Sequence, residues 1–317
     1  MKVWTGDPQT WGPPPAEGTA VTIGVFDGVH RGHQAVLADV GERAADLGAL
    51  QQVALTFDVH PLSIVSPQTA PRMLTTVEQR IDMFDALGMN QVGVLPFSEI
   101  RMSSPDGFVS KVLVGGFNAR LVVVGTDFRY GVEREGDVET LRRAGVGYGF
   151  EVDAVELLEE GGGPISSSTI RSSLAAGQVV EAADLLGRPY ELRGEVVAGD
   201  KRGKEIGFPT ANLLFGDETA LPGNGVYAVR AGVGGDFGDA VCNVGVRPTF
   251  GGDHVVVEAH LLDWEGDLYG SELRVSFIDR IRAEQKFDGL EALVRQIARD
   301  VETARHMLAA DRDRRGR

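Results

Sequence analysis

Apolar residues fall along this chain in two rhythms. Up to about residue 186, short runs that are apolar on both faces (the run around Val21 to Ile23, QQVALTF at 51–57, QVGVLPF at 91–97 and LVVVG at 121–125) alternate with stretches of helical spacing. Between Thr76 and Leu87 the residues Val77, Ile81, Phe84 and Leu87 form one stripe, and Ser104 followed by Pro105 is a cap and first-turn signal for a helix reaching Val114. This alternation predicts an α/β doubly wound domain over residues 1–186, with a parallel sheet covered by helices and ligands gathered at the carboxyl ends of the strands. From Tyr190 the rhythm changes. YELRGEVVA, GVYAVRAGV, DAVCNVGV, VVVEAHLLDW and ELRVSFIDRI follow one another, separated by turn residues, and predict an antiparallel barrel or sandwich over residues 187–317. A terminal helix closes the chain, with Leu290, Leu293, Val294, Ile297, Val301 and Leu308 on one face.

The stretch VTIGVFDGVHRGHQAVL, Val21 to Leu37, reads as strand, glycine-punctuated turn and helix. Gly24, Gly28 and Gly32 let the backbone turn tightly or approach a ligand, and a helix starting near His33 would aim its unpaired N–H groups and positive dipole end at an anion over the turn. No Walker loop or GxGxxG occurs; GDKRGKE at 199–205 has one residue too few between glycines and no Ser or Thr after Lys204. The pair His30 and His33 could also be surface decoration or half of a zinc site. Zinc is disfavoured, because Cys242 is the only cysteine and no third ligand lies at helical spacing.

Three further segments fall at strand ends: TFDVHP (56–61), GTDFRYG (125–131) and ISSSTIR (165–171). Arg129 and Arg171 can balance phosphate charge, and Ser166, Ser167 and Ser168 can donate hydroxyl hydrogen bonds; singly, each is as readily a solvated arginine or a helix cap. In GKEIGFPTANL (203–213), Thr210 and Asn212 lie two apart, so an extended segment offers both oxygens on one side to a metal or phosphate, with Pro209 stiffening the approach. In VVVEAHLLDW the period of two puts Glu258 and His260 on one face and Val257, Ala259 and Leu261 on the other, leaving Glu258 either a solvated strand residue or a base.

Composition narrows the partners. The 317 residues are 43% hydrophobic and 24% charged, ordinary for about two globular domains. A formal net charge of −15 repels nucleic acid, so phosphorylated small molecules must find local cations. One cysteine suits a reducing compartment, MKVWTGDP lacks the apolar segment of a secretion signal, and no run approaches membrane-spanning length. The expectation is a cytoplasmic protein with no nucleic-acid or membrane partner; weak self-association stays open.

Taken in order, these motifs carry a family resemblance. GVFDGVHRGH, with Phe26, Asp27 and Gly28 flanking the histidines, resembles the HxGH signature of nucleotidylyltransferases in the variant carried by bacterial FAD synthetases, which also have TFxPHP, GxDFRFG and ISSTxIR segments. GKEIGFPTANL resembles the riboflavin kinase signature GRxLGFPTAN, followed in family order by GVYAV, NVGVRPTF, VEAHLLDW and DLYG. From Val21 to Met307 the chain is thus similar to bacterial bifunctional riboflavin kinase/FAD synthetases. The resemblance implies a C-terminal β-barrel kinase that makes FMN from riboflavin and ATP. It also implies an N-terminal adenylyltransferase that moves AMP from ATP onto FMN, releasing pyrophosphate and forming FAD.

By that resemblance His30 and His33 are catalytic, and Gly24, Phe26, Asp27, Gly28, Asp127, Arg129, Ser167, Ser168 and Arg171 bind the nucleotide. Gly203, Lys204, Gly207 and Pro209 line the kinase loop, Thr210 and Asn212 hold Mg²⁺, and Glu258 is the general base. The chain departs from the pattern at Val59 for Pro, Ser168 for Thr, Ala198 for His and Lys204 for Arg. Two other readings remain: a nucleotidylyltransferase with a different phosphorylated acceptor and an accessory barrel, or a noncatalytic flavin-binding regulator.

Overall fold

The four apolar runs are strands of one sheet, which two further strands extend. In chain order the elements are β1 (Lys2–Thr5), β2 (Thr19–Ile23), α1 (Arg31–Asp46), β3 (Gln51–Phe57), α2 (Pro61–Val65), α3 (Val77–Ala86), β4 (Gln91–Leu95), α4 (Phe97–Ile100), α5 (Pro105–Phe108), β5 (Ala119–Gly125), α6 (Val138–Tyr148) and β6 (Glu151–Val155). The strands run in the order β1-β4-β3-β2-β5-β6, every pairing parallel. Strand order reverses at β2, so the carboxyl ends of β2 and β5 flank a crevice. Alternate residues of the strands feed opposite faces. Val21, Ile23, Val53, Leu55, Val122 and Val124 pack with Val109, Leu113, Phe117 and Leu141 on one side. On the other, Ala20, Leu121 and Val123 meet Val36 and Val40 of α1, and Ala54, Val92 and Val94 meet Leu37 and Phe84.

In this computed structural model the described residues are 1–48, 50–156, 158–160, 163–199, 202–249 and 252–315. Gly161 and Gly162, in the composition break before residue 165, Asp200 and Lys201 of the Walker-like stretch, and Phe250 of NVGVRPTF lie outside them.

Local chemistry sets the helix boundaries. Thr76 and Gln79 form a reciprocal capping box at α3, Ser104 accepts from the Gly107 N–H at α5, and Asp137 accepts from the Thr140 N–H at α6, which ends on Gly149 at φ +82°. Two expectations change. The helix read from Pro105 to Val114 keeps α geometry only through Phe108 and continues to Gly116 as a π-helix, whose wider turn buries Val109, Val112, Leu113 and Gly116 together. Leu87 caps α3 and is 40% exposed, so the stripe on that helix ends at Phe84.

The short pair β7 (Glu159–Glu160) and β8 (Gly163–Pro164) precedes the second unit. That unit contains α7 (Ser167–Ala175), α8 (Val179–Leu186), β9 (Tyr190–Val197), α9 (Arg202–Glu205), β10 (Ala211–Leu214), β11 (Gly225–Val233), β12 (Asp236–Thr249), β13 (Gly252–Leu261), β14 (Glu272–Arg282) and α10 (Leu290–Arg315). Six antiparallel strands close a barrel in the order β10-β13-β12-β11-β14-β9, with β10 pairing β9 and so sealing the ring. β10 comes from the PTANL stretch, which the sequence offered as an extended segment or a proline turn. Ala304 and Leu308 of α10 pack against Val226, Ala228, Val241 and Ile278, whereas Leu290, placed on that stripe by spacing, is 61% exposed.

By its own contacts the chain separates into Met1–Ser167 and Ser168–Arg317. The sequence put the boundary after residue 186. Helices α7 and α8 go with the barrel: the Gly223 N–H donates to Leu174 O (2.8 Å) and Arg280 Nη1 to Ala176 O (3.4 Å).

Candidate active sites

In the first unit the turn between β2 and α1 is held in a conformation that local sequence alone does not favour. Phe26, Gly28 and Val29 all have positive φ, at +52°, +80° and +39°, and only Gly28 adopts that region without strain. Side chains from distant segments fix it. Asp27 is 2% exposed, and its Oδ1 accepts from Leu74 N (2.8 Å) and Thr75 N (3.1 Å), while Thr75 Oγ1 accepts from Gly28 N (2.9 Å). Ser167 Oγ donates to Asp27 O (2.9 Å). Arg80, on α3 and 1% exposed, donates from Nη1 to Val25 O (2.7 Å) and Thr56 Oγ1, and from Nη2 to Phe57 O (3.1 Å). Burial pulls this guanidinium below its ordinary value, against the opposing pull of the Asp27, Glu78 and Asp58 carboxylates.

That clamp presents the two histidines at the start of α1. The helix begins at Arg31, two residues before the expected start, because His30 is its cap: Nδ1 accepts from His33 N (3.3 Å), so the neutral ring carries its proton on Nε2. The His30 and His33 rings stack at 3.6 Å and 18°, and the Phe26 ring meets His33 edge-on at 5.1 Å. Gly32 is needed beneath them, since a Cβ there would sit 3.2 Å from the His30 ring. Gly24 has the same role under Phe26, whose ring a Cβ would meet at 3.3 Å. Burial first, then the charges of His30 and Arg80, hold His33 well below the ordinary histidine range, and its buried Nδ1 has no hydrogen-bond partner among the described residues. A stacked pair of imidazoles at a helix N-terminus, His33 of which burial keeps from taking a proton, suits a polyanion in transfer chemistry.

Following β5, Asp127 and Arg129 are exposed, and Arg129 Nη1 donates to Phe128 O (2.8 Å). Beside them Tyr130 is buried, its hydroxyl pushed up to about 12 by desolvation, with the Asp137 charge adding. Ser168 and Arg171 fall in the second unit. They lie one helical turn apart on α7, with Arg171 Nη1 3.5 Å from Ser168 Oγ; ISSSTIR is therefore helical from Ser167 onward instead of preceding the helix.

In the barrel, strand register makes the second site. Asn212 of β10 stands opposite Glu258 of β13, and Glu258 stands opposite Asn243 of β12, so three polar side chains form one row across three strands. The alternation read from sequence holds: Val257, Ala259 and Leu261 are buried, with Glu258 and His260 on the other face. Asn212 lies against bare backbone, since a Cβ on Gly199 would come within 2.3 Å of its amide. The loop before it is tight. Phe208 N donates to Gly203 O (2.8 Å), a Cβ on Gly203 would meet Phe208 O at 2.4 Å, and Gly207 has φ +88°. Lys204, Pro209 and Thr210 are exposed, and His260 Nδ1 donates to Pro209 O (2.7 Å).

The donor set suits a hard cation: a hydroxyl and an amide oxygen on consecutive same-face positions, a carboxylate in register, and a glycine cradle that leaves room around the amide. Among the described residues no cluster of three His, Cys, Asp or Glu forms a metal site.

Sequence reasoning missed Arg80 and Asn243. Arg80 sits within the apolar stripe of α3, between Val77 and Phe84, where a charged residue signals a buried partner. Asn243 is the polar position of an otherwise apolar alternation, Cys242 and Val244 being buried.

An all-parallel sheet with a histidine-capped helix at its reversal point, followed by a closed barrel with a carboxylate in a polar row, fits a two-unit enzyme that handles phosphorylated substrates. Comparison with known proteins agrees. A FAD synthetase family model matches residues 13–169 and a riboflavin kinase model matches residues 186–308. The bifunctional riboflavin kinase/FMN adenylyltransferase of Pseudomonas fluorescens is 41% identical over 93% of this chain and 95% of its own length. That of Escherichia coli K12 is 39% identical over 92% and 93%. The chain belongs to the bifunctional riboflavin kinase/FMN adenylyltransferase family. A crystal structure described as a macrolide-efflux protein from Streptococcus pneumoniae has the same fold, with a TM-score of 0.86 at 31% identity, covering 96% of this chain and 99% of that one. Among the described residues no helix is long and apolar enough to cross a membrane.

Proposed function

We propose that this chain carries out both steps from riboflavin to FAD, the kinase step in residues 187–317 and the adenylyl transfer in residues 1–186. The observation that carries the reading is that each unit holds its own set of reactive groups on its own scaffold: the row Asn212, Glu258, Asn243 in the barrel and the stacked pair His30 and His33 in the sheet unit.

In the barrel, Glu258 accepts the proton of the riboflavin terminal hydroxyl as its oxygen attacks the γ-phosphate of ATP, the bond to the β-phosphate oxygen breaks and ADP leaves. Thr210 and Asn212 would hold Mg²⁺, which would neutralise phosphate charge, and Gly203, Lys204, Gly207 and Pro209 shape the loop over the phosphates. In the sheet unit the FMN phosphate is already an anionic nucleophile, so no covalent intermediate or base is needed. It attacks the α-phosphate of a second ATP, and pyrophosphate leaves. The protonated nitrogens of His30 and His33 and the opening N–H groups of α1 stabilise the charge that builds on the transferring phosphate.

Asp27 contributes by clamping the turn, with Gly24, Phe26 and Gly28 giving it shape. Asp127, Arg129 and Ser167 complete the nucleotide contacts of the sheet unit in this reading. The partners are riboflavin, FMN and ATP, and the net charge of −15 and the single buried thiol favour a cytoplasmic enzyme that does not bind nucleic acid.

The test is chromatographic separation of flavins after incubation with ATP and Mg²⁺, starting in parallel from riboflavin and from FMN, with an EDTA control. FAD is expected in both, and neither product with chelator. Glu258→Ala should lower FMN formation about 10²–10⁴-fold and leave FMN-to-FAD conversion intact. His33→Ala should lower only the second step, about 10²–10³-fold. Loss of both activities in either variant, with the fold intact, rules out two separate sites.

A further inference from the structure

The backbone ladder that seats the loop containing Thr210 stops short of the residue it has to place. Between β10 and β13 the paired residues are Leu213 with Val257, Asn212 with Glu258, and Ala211 with Ala259. The next pair in register would be Thr210 with His260, and no backbone pairing is made there. The imidazole takes over: His260 Nδ1 lies 2.7 Å from Pro209 O, and because a carbonyl can only accept, Nδ1–H is the donor. The Phe208 ring packs edge-on against the same imidazole, centroids 5.6 Å apart at 79°. On its other side the His260 backbone is fixed by pairing with Val241 of β12.

We propose that His260 is a positioning residue of the kinase site, one that fixes Thr210 by anchoring the carbonyl of Pro209 immediately before it. Thr210 is then held from both sides, by the ladder at Ala211 and by the imidazole at Pro209. Proline cannot donate a backbone hydrogen bond, so its carbonyl is the only main-chain handle at that position. Because Glu258 lies two residues before His260 on the same face, one strand carries both the base and the anchor of the metal loop. Any shift of β13 moves the two together, which keeps their spacing constant. The inference rests on the reading of Thr210 and Asn212 as the metal pair.

The experiment compares His260→Ala with His260→Asn, whose side-chain amide can still donate to Pro209 O, in the full-length protein. Three quantities are read: the Mg²⁺ concentration giving half-maximal FMN formation, FMN-to-FAD conversion as an internal control, and hydrogen–deuterium exchange over residues 203–213. His260→Ala should raise the half-saturating Mg²⁺ about tenfold, the loss of one well-formed hydrogen bond, and speed exchange at Ala211 and Asn212. His260→Asn should restore both, and the control should not change. Equal behaviour of the two variants overturns the proposal, as does a fall in maximal rate with no change in Mg²⁺ dependence. If Thr210→Ala itself leaves the Mg²⁺ dependence unchanged, the metal reading has failed and takes this role of His260 with it, even where the exchange arm still shows the anchor.

Discussion

A histidine that folding forces to stay neutral makes stability depend on acidity. His33 sits well below its ordinary value because burial and the neighbouring His30 and Arg80 charges oppose its protonation. In the unfolded chain the ring titrates near about 6.5. Below that pH the unfolded state binds a proton that the folded state refuses, so the contribution runs one way: stability falls as the pH drops from about 6.5 toward the folded value. Scanning calorimetry between pH 7.5 and pH 5.5 should show the sheet unit losing stability, and His33→Gln should flatten the dependence. An unchanged slope in that variant would mean that other groups govern the acid limb. The histidines were legible in the sequence because a cap and a glycine turn are local devices, written within a few residues. Arg80 was not: its acceptors Val25, Thr56 and Phe57 lie 55, 24 and 23 residues away, and nothing in a single helix announces where such partners are.

Elements differ in how they are fastened, and α10 is the clearest case. Among the described residues four arginine–aspartate pairs join it to the barrel strands and their connections: Arg282–Asp300, Arg230–Asp311, Arg305–Asp263 and Arg312–Asp239, at 2.7 to 2.9 Å. They are not equal. Asp300 is 3% exposed, receives Arg282 through both Nε and Nη2, and is also bonded by Gln296, whereas Asp263 is exposed. Asp300→Ala would take the carboxylate from a partly buried guanidinium and should cost about 1.5–3 kcal/mol in urea unfolding, while Asp263→Ala should cost under about 1 kcal/mol. Similar losses from both would contradict this ranking. The helix itself was legible from its spacing, but β1, β6 and β10 were not. β1 and β6 are edge strands with half-exposed residues, Val3 being 41% exposed, and so lack the doubly buried composition that marks the central four. β10 buries only Ala211 and Leu213, too short an alternation to rise above its turn chemistry.

The whole molecule is two cores in series, and the join is where sequence and packing divide it differently. Composition changes near residue 186, yet α7 and α8 are bound to the barrel through Leu174, Ala176 and the buried Val179, Ala182, Leu185 and Leu186. A fragment of residues 168–317 should therefore unfold at a higher temperature than one of residues 187–317, which exposes the surface those helices cover. Equal melting would place the functional division at 186 after all. Within that barrel the one cysteine of the chain is fully buried on β12, its thiol pushed up by desolvation and by the nearby Glu258 charge. Thiolate reactivity there waits on the barrel coming apart. Cys242 is thus a built-in stopwatch: the rate at which an alkylating reagent reaches it, with and without flavin, reads how often the ring opens, at a single atom and without adding a probe.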